Sequence, residues 1–242
     1  MGYKLKRSIK LSELAGCLGL GFSGKNIEII GVSSFDDCAP GYLSFTGGGV
    51  GKSDAALIVS DTCKLNKAHS CGYITSRNLR FDFIRALTYL DSKIGFDTYG
   101  FKSIVHPSVK LGLNVVIEDG CILDENVELE HNVIIHRGTR IGRNTLIRSG
   151  SSIGGQGFGF ERNPEDNSLL RFPQIGGVLI GSNVEIGSLN SVSCGALTDT
   201  IINDSVKTDN LVHIGHNCSI GKGSLITACA EFSGGIHLGE NT

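Results

Sequence analysis

A short segment near the end of the sequence carries the residue types of a proton-transfer site. In TDNLVHIGHNCSIG (Thr208 to Gly221), His216 stands two places after the aliphatic Ile214 and seven after Asp209, and His213 immediately precedes Ile214. A neutral imidazole oriented by a carboxylate is an effective general base near pH 7. Gly234 lies eighteen residues beyond His216. If the chain folds back at that interval, the Gly234 N–H can serve as an oxyanion donor beside the base. The same spacing also suits solvent-facing histidines at two turns, so the residues alone leave both readings open.

Three other groupings invite chemistry and support it less well. The run Gly47 to Ser53 ends in Gly-Lys-Ser, but Thr46 stands where a phosphate loop needs glycine, and no helix pattern follows. His131 and His136 have the spacing of a zinc pair, yet His106 is too distant in sequence to match the pattern of a third ligand. No metal is therefore expected. Arg137, Arg140, Arg143 and Arg148 fall off the buried positions, as a solvated face or as a surface for an acidic partner. The eight cysteines include no C-x-x-C, and Cys121 and Cys218 take positions filled elsewhere by valine, so they read as reduced, small core residues.

What must position these groups is a repeat. Val105, Leu111, Ile117, Leu123, Leu129, Ile135, Ile141, Ile147 and Ile153 recur every six residues. A Val or small residue follows each by four places. The register breaks after Ile153, resumes at Ile180, Ile186 and Val192, slips once more, and continues from Ile202 to Leu238. Neither a helix nor a hairpin has period six. Short strands turned at Gly- and Asn-rich corners do, when stacked coils share one aliphatic column. The segment between Ile153 and Ile180, an ejected loop at about 154–176, carries Phe158, Phe160 and Phe172; these are costly to leave in water and predict a covered groove or a neighbouring subunit.

Upstream, the pattern changes to a small α/β module over 1–102, with the coil over 103–242. It predicts a helix after an N-capping Ser12, strands over Asn26–Val32 and Ala55–Ser60, and an amphipathic helix over Leu79–Leu90. The chain has 242 residues, 34 of them glycine, about twice the usual ~7%. Its net charge of -2 lacks the basic footprint of nucleic-acid binding. No apolar run has the ~18 residues of a transmembrane helix, and the basic N-terminus has no apolar signal region behind it. A soluble, cytoplasmic location is expected.

In this order the chain shows an α/β module, hexads, G-x-x-G-F-G-F (Gly154–Phe160), P-Q-I-G (Pro173–Gly176), V-E-I-G (Val184–Gly187), G-A-L-x-D-T (Gly195–Thr200), D-N (Asp209–Asn210) and I-x-H-N (Ile214–Asn217). This series resembles the UDP-3-O-(3-hydroxyacyl)glucosamine N-acyltransferases of lipid A synthesis, across nearly the whole chain. The resemblance implies a mainly β fold, a left-handed parallel β-helix of hexapeptide repeats behind a small uridine-binding-like domain. It implies a cytoplasmic homotrimer that takes an acyl group from acyl carrier protein, with no cofactor, and transfers it to the amine of a nucleotide-linked sugar. His216 would be the general base, Asp209 the acidic residue beside it, and Gly234 the glycine near the acyl path. Phe45, Phe158, Arg171, Gln174 and Asn217 would bind substrate. Gln156 and Val192-Ser193-Cys194-Gly195 replace residues usual in that family, as do Gly48 and Gly51 beside Phe45. Other readings are a coenzyme A-dependent sugar acyltransferase and a catalytically weakened scaffold.

Overall fold

A computed structural model describes residues 2–47, 54–61 and 71–242. The phosphate-loop-like residues Gly48 to Ser53, and Cys63, lie outside the described residues. The chain forms two compact units. The first comprises Met1–Thr98 and Gly159–Pro173; the second comprises Tyr99–Phe158 and Gln174–Thr242. The first break falls between Thr98 and Tyr99, and most of the segment read as an ejected loop is built into the first unit.

The first unit contains β1 (Tyr3–Lys10), α1 (Leu11–Leu18), β2 (Phe22–Gly24), β3 (Glu28–Val32), β4 (Tyr42–Thr46), β5 (Ala56–Ser60), β6 (Gly72–Ser76) and α2 (Leu79–Lys93). Its sheet has the order β1-β3-β4-β5-β6-β2, parallel from β3 to β6 and antiparallel at both edges. The helix expected after Ser12 starts one residue earlier than that serine. Its N-cap is Lys10, without a side-chain cap. Ser12 is inside the first turn, where its N–H donates to Asn26 Oδ1 at 3.0 Å, so the orphan donor is capped from another part of the chain. Leu11, Leu14, Ala15 and Leu18 form the buried stripe of α1. Residues 159–173 add an antiparallel hairpin of Phe160–Arg162 with Leu169–Arg171.

The second unit is a parallel β-helix of hexapeptide repeats, as expected. Three parallel sheets run along it, beginning at Ile104–Val105, Lys110–Leu111 and Val116–Ile117. Residues stack on partners eighteen positions away, as Ile104 does on Ile122 and Leu111 on Leu129. The interval becomes thirty-nine at the ejected segment (Ile141 on Ile180) and twenty-two at the later slip (Ile180 on Ile202). Pairing then returns to eighteen, as for Ile214 on Phe232. The insertions are therefore absorbed at corners, and the interior column of Leu, Ile and Val continues through them.

Corners turn through left-handed backbone. Asn114, Asn126, Asn132, Asn144, Asn183 and Asn217 have φ between 56° and 60°, a region asparagine tolerates better than most residues. Their amides stack from coil to coil: Asn126 Nδ2 donates to Asn144 Oδ1 at 3.2 Å, and Asn144 Nδ2 donates to Asn183 Oδ1 at 3.3 Å. Cys121 and Cys218 are buried at interior corner positions. Their thiols donate to the carbonyls of His136 and Ser233 respectively, each at 3.2 Å.

A charged brace also ties successive coils. Glu130 Oε2 accepts from the Ser149 N–H and from Ser149 Oγ, each at 2.9 Å. These bonds and Arg148 hold the Glu130 carboxyl below its ordinary 4.5. A carboxyl depressed by folding stabilises the native state above its unfolded pKa, and that contribution is lost as pH falls through the folded value. Thermal melts should therefore show stability falling as acid protonates Glu130 below about pH 4.5. Glu130→Gln should flatten that acid limb while lowering the melting temperature at pH 7. An unchanged acid limb would exclude Glu130 as a contributor.

Candidate functional site

His216 lies in the corner that follows the strand His213–Ile214. Ile214 points into the column and Cys218 re-enters it, which leaves His216 and Asn217 on the turn, both half-buried. Asn217 has φ 60° and is fastened on every side. Its N–H donates to Thr200 Oγ1 at 2.9 Å. Its Nδ2 donates to the Thr198 carbonyl at 3.2 Å and to Thr198 Oγ1 at 2.7 Å. Its Oδ1 accepts from the Ala196 N–H at 3.1 Å and faces His216 Nδ1 at 3.0 Å.

That arrangement selects a tautomer. The Thr198 carbonyl can only accept and the Ala196 N–H can only donate, so the Asn217 amide has one satisfactory orientation. Oδ1 therefore presents an acceptor to the ring, and the proton of the neutral imidazole sits on Nδ1. Nε2 retains the lone pair of a base. The ring lies over Gly234 on the next coil: a Cβ built on Gly234 would come within 2.6 Å of Nε2 and of Cε1. His216 and Gly234 are thus neighbours on successive coils, and only glycine leaves the imidazole its place.

The start of the ejected segment reaches the same corner. Gly157 N–H donates to Gln174 Oε1 at 2.6 Å, and a Cβ on Gly157 would stand 3.1 Å from His216 Cβ. Gln156 and Gln174 clasp each other: Gln156 Nε2 donates to the Gln174 carbonyl at 2.9 Å, and Gln174 N–H donates to Gln156 Oε1 at 3.3 Å. Gln174 is buried. Beneath them, burial pushes the Cys194 thiol up to about 11, which makes it a packing group rather than a nucleophile.

Asp209 stands apart from this cluster. It is exposed at the preceding corner, and its Oδ1 accepts from the Asn210 N–H at 2.7 Å. Within one chain the imidazole is oriented by Asn217, the residue expected to bind substrate, rather than by Asp209. The reason is topological, because seven residues carry the chain along one side of the triangle to the next corner. His213 occupies the strand itself, half-buried.

Phe158 is 86% exposed, so most of this ring faces outward. Phe45 and Arg171 belong to the first unit. Phe45 packs against Phe83 with ring centroids 4.4 Å apart, and Phe83 in turn neighbours the buried Phe172. The Arg171 guanidinium lies 4.4 Å from the centroid of Phe160. Phe172 is therefore covered inside its own unit and Phe160 is half-buried beside Arg171, which corrects the expectation of a groove or a neighbour for Phe172, while Phe158 remains exposed.

The histidines at zinc-like spacing have separate duties. His131 Nδ1 accepts from the Leu113 N–H at 2.9 Å, and His106 Nδ1 lies 2.9 Å from Ser108 Oγ. His136 lies between Glu118 and Ser152. Among the described residues no cluster of His, Cys, Asp and Glu forms a metal site. The four arginines also divide. Arg148 holds Glu185 and Glu130, with Nη2 2.6 Å from Glu185 Oε1, and Arg143 lies 3.9 Å from Glu125. Arg137 and Arg140 form no salt bridge with the described residues and remain as exposed cations. Reading all four as equivalent therefore overstates the positive surface.

Ala196, Thr198 and Thr200 lie within the G-A-L-x-D-T motif, but their role in anchoring Asn217 is one that sequence reasoning misses. Their signal is the slip itself: Val192 and Ile202 stand ten residues apart where the repeat requires six. The extra residues form the platform for the Asn217 amide.

No family profile matches the chain. Over 81 residues, 34% of this chain, it is 52% identical to the UDP-3-O-acylglucosamine N-acyltransferase of Dechloromonas aromatica, covering 23% of that protein. Over 76 residues, 31% of this chain, it is 55% identical to the protein of the same name from Saccharophagus degradans, covering 22% of it. The chain thus spans about a quarter of the length of the curated relatives it matches. Among solved structures it resembles LpxA of Acinetobacter baumannii, at 23% identity and TM-score 0.41, over 57% of this chain and 54% of that one. No helix among the described residues is long and apolar enough to cross a membrane. By local sequence, the chain is similar to UDP-3-O-acylglucosamine N-acyltransferases.

Proposed function

We propose that the chain belongs to an N-acyltransferase that moves a 3-hydroxyacyl group from acyl carrier protein to the amine of a UDP-linked 3-O-acylglucosamine. The observation that carries this reading is the His216 imidazole, held through Nδ1 by Asn217 and lying over Gly234, with no hydrogen bond to Nε2 among the described residues. The similarity to proteins named for that reaction supports the substrate class.

An attacking amine must lose a proton as its C–N bond to the thioester carbon forms. His216 Nε2 accepts that proton, the tetrahedral oxyanion collapses, and the carrier sulfur departs as a thiol. The Gly234 N–H is suited to steady the oxyanion. Asp209, distant from His216 within one chain, would reach an active corner from a neighbouring copy in a homotrimer, a closed cyclic assembly. No resident cofactor is needed in this sequence of steps. The protein would act in the cytoplasm, where carrier-bound acyl groups are made.

The decisive assay supplies 3-hydroxyacyl carrier protein and the UDP-linked amine, with acetyl-coenzyme A as the rival donor. Wild type should form the amide from the carrier thioester. His216→Ala should lower turnover about a hundredfold or more, and Asn217→Ala should lower it by a smaller factor through loss of tautomer control. Transfer only from acetyl-coenzyme A, or full activity in His216→Ala, would reject the reading. Light scattering at micromolar concentration should return a trimer; a monomer would remove Asp209 from any shared site. Carrier binding should weaken with salt and in Arg137→Ala and Arg140→Ala, but not in Arg148→Ala, whose guanidinium is already paired. Salt-independent affinity would exclude charge-guided docking.

A further inference from the structure

Glu118, His136 and Ser152 form a hydrogen-bonded line outside the His216 corner. His136 Nδ1 lies 3.1 Å from Glu118 Oε1, and its Nε2 lies 3.1 Å from Ser152 Oγ. Burial opposes ionisation of Glu118, but the Arg137 N–H and His136 outweigh it and hold the carboxyl below its ordinary range. An ionised carboxylate only accepts, so His136 carries its proton on Nδ1. Nε2 therefore accepts from the Ser152 hydroxyl. Carboxylate, imidazole and hydroxyl stand in the order that activates a serine nucleophile.

The surroundings suit an acyl group. Ser152 is half-buried on the outer face of its strand, and Val116 and Ile134 stand in register with it on the two preceding coils. Both are exposed, at 50% and 37%, and form an apolar row beside the hydroxyl. Strands spaced by about 4.8 Å give that row the reach of a short aliphatic chain. Gly155 leaves room on the other side: its missing Cβ would stand 3.7 Å from Ser152 Oγ.

We propose that Ser152, activated by His136 and Glu118, is a second acyl-accepting site that reacts with esters or thioesters of short aliphatic acids. The Ser152 proton passes to His136 Nε2 as the Oγ–acyl carbon bond forms. The bond from that carbon to the leaving oxygen or sulfur breaks, and the leaving group departs with the proton from His136. Water then hydrolyses the acyl-serine to the free acid and restores the hydroxyl. This chemistry needs neither an amino sugar nor His216, so it stands apart from the proposed amide synthesis.

The test incubates the full chain with p-nitrophenyl hexanoate, follows nitrophenol release, and maps the acid-quenched adduct by peptide mass. One hexanoyl group should appear on Ser152, and it should form equally well in His216→Ala. Ser152→Ala, which deletes only the hydroxyl, should lose the adduct. His136→Gln should slow its formation about a hundredfold or more. A wild-type chain without an adduct at Ser152, or an adduct that forms undiminished in His136→Gln, would overturn the proposal.

Discussion

Each coil of the β-helix satisfies its backbone by pairing with the coils above and below, so the residue stacked on any position is fixed by the pairing register. This constraint governs the second unit more strongly than any single side-chain contact. It brings Ile104, Ile122 and Arg140 into one sheet, and it requires every corner to turn in the same place. A corner residue consequently has a defined neighbour one coil away. His216 meets Gly234 because Ile214 pairs with Phe232, not because the two residues attract each other.

The same constraint explains why additional chain appears where it does. A strand cannot lengthen without shifting every inward residue, whereas a corner can extrude a segment and rejoin the ladder. The chain uses this twice. The longer excursion brings Gly157 against the His216 corner and places Gly159–Pro173 in the first unit. The shorter one supplies Ala196 and Thr198, whose carbonyl, hydroxyl and N–H orient the Asn217 amide. Polar groups that would be unsatisfied on an interrupted turn instead become the scaffold of the imidazole.

The hexads are legible in the sequence because burial enforces them: Ile135, Ile147 and Ile153 are fully buried, where an unpaired polar side chain would be costly. Gly234 is legible for the same reason, since an interval of eighteen residues is one coil. The expectation that Asp209 stands beside His216 fails within one chain, because separation along the chain does not give separation between corners. The role of Asn217 is hidden because its partners lie seventeen to twenty-one residues away, across an irregular insertion. In the first unit, Ser12 has the composition of an N-cap, but Asn26 performs the capping from a distance. Local propensity yields wherever a tertiary partner is better placed.

The fastening of Asn217 has a consequence for timing within any reaction that His216 serves. With Nδ1 committed to an amide oxygen that is itself held in place, the ring has a single working face. A proton must enter and leave through the same nitrogen, without a ring flip or relay through the protein interior. The atom that surrenders the proton and the atom that later receives it must therefore visit one small volume above Gly234 in succession. In such a reaction the order of events would follow from which atom occupies that volume first.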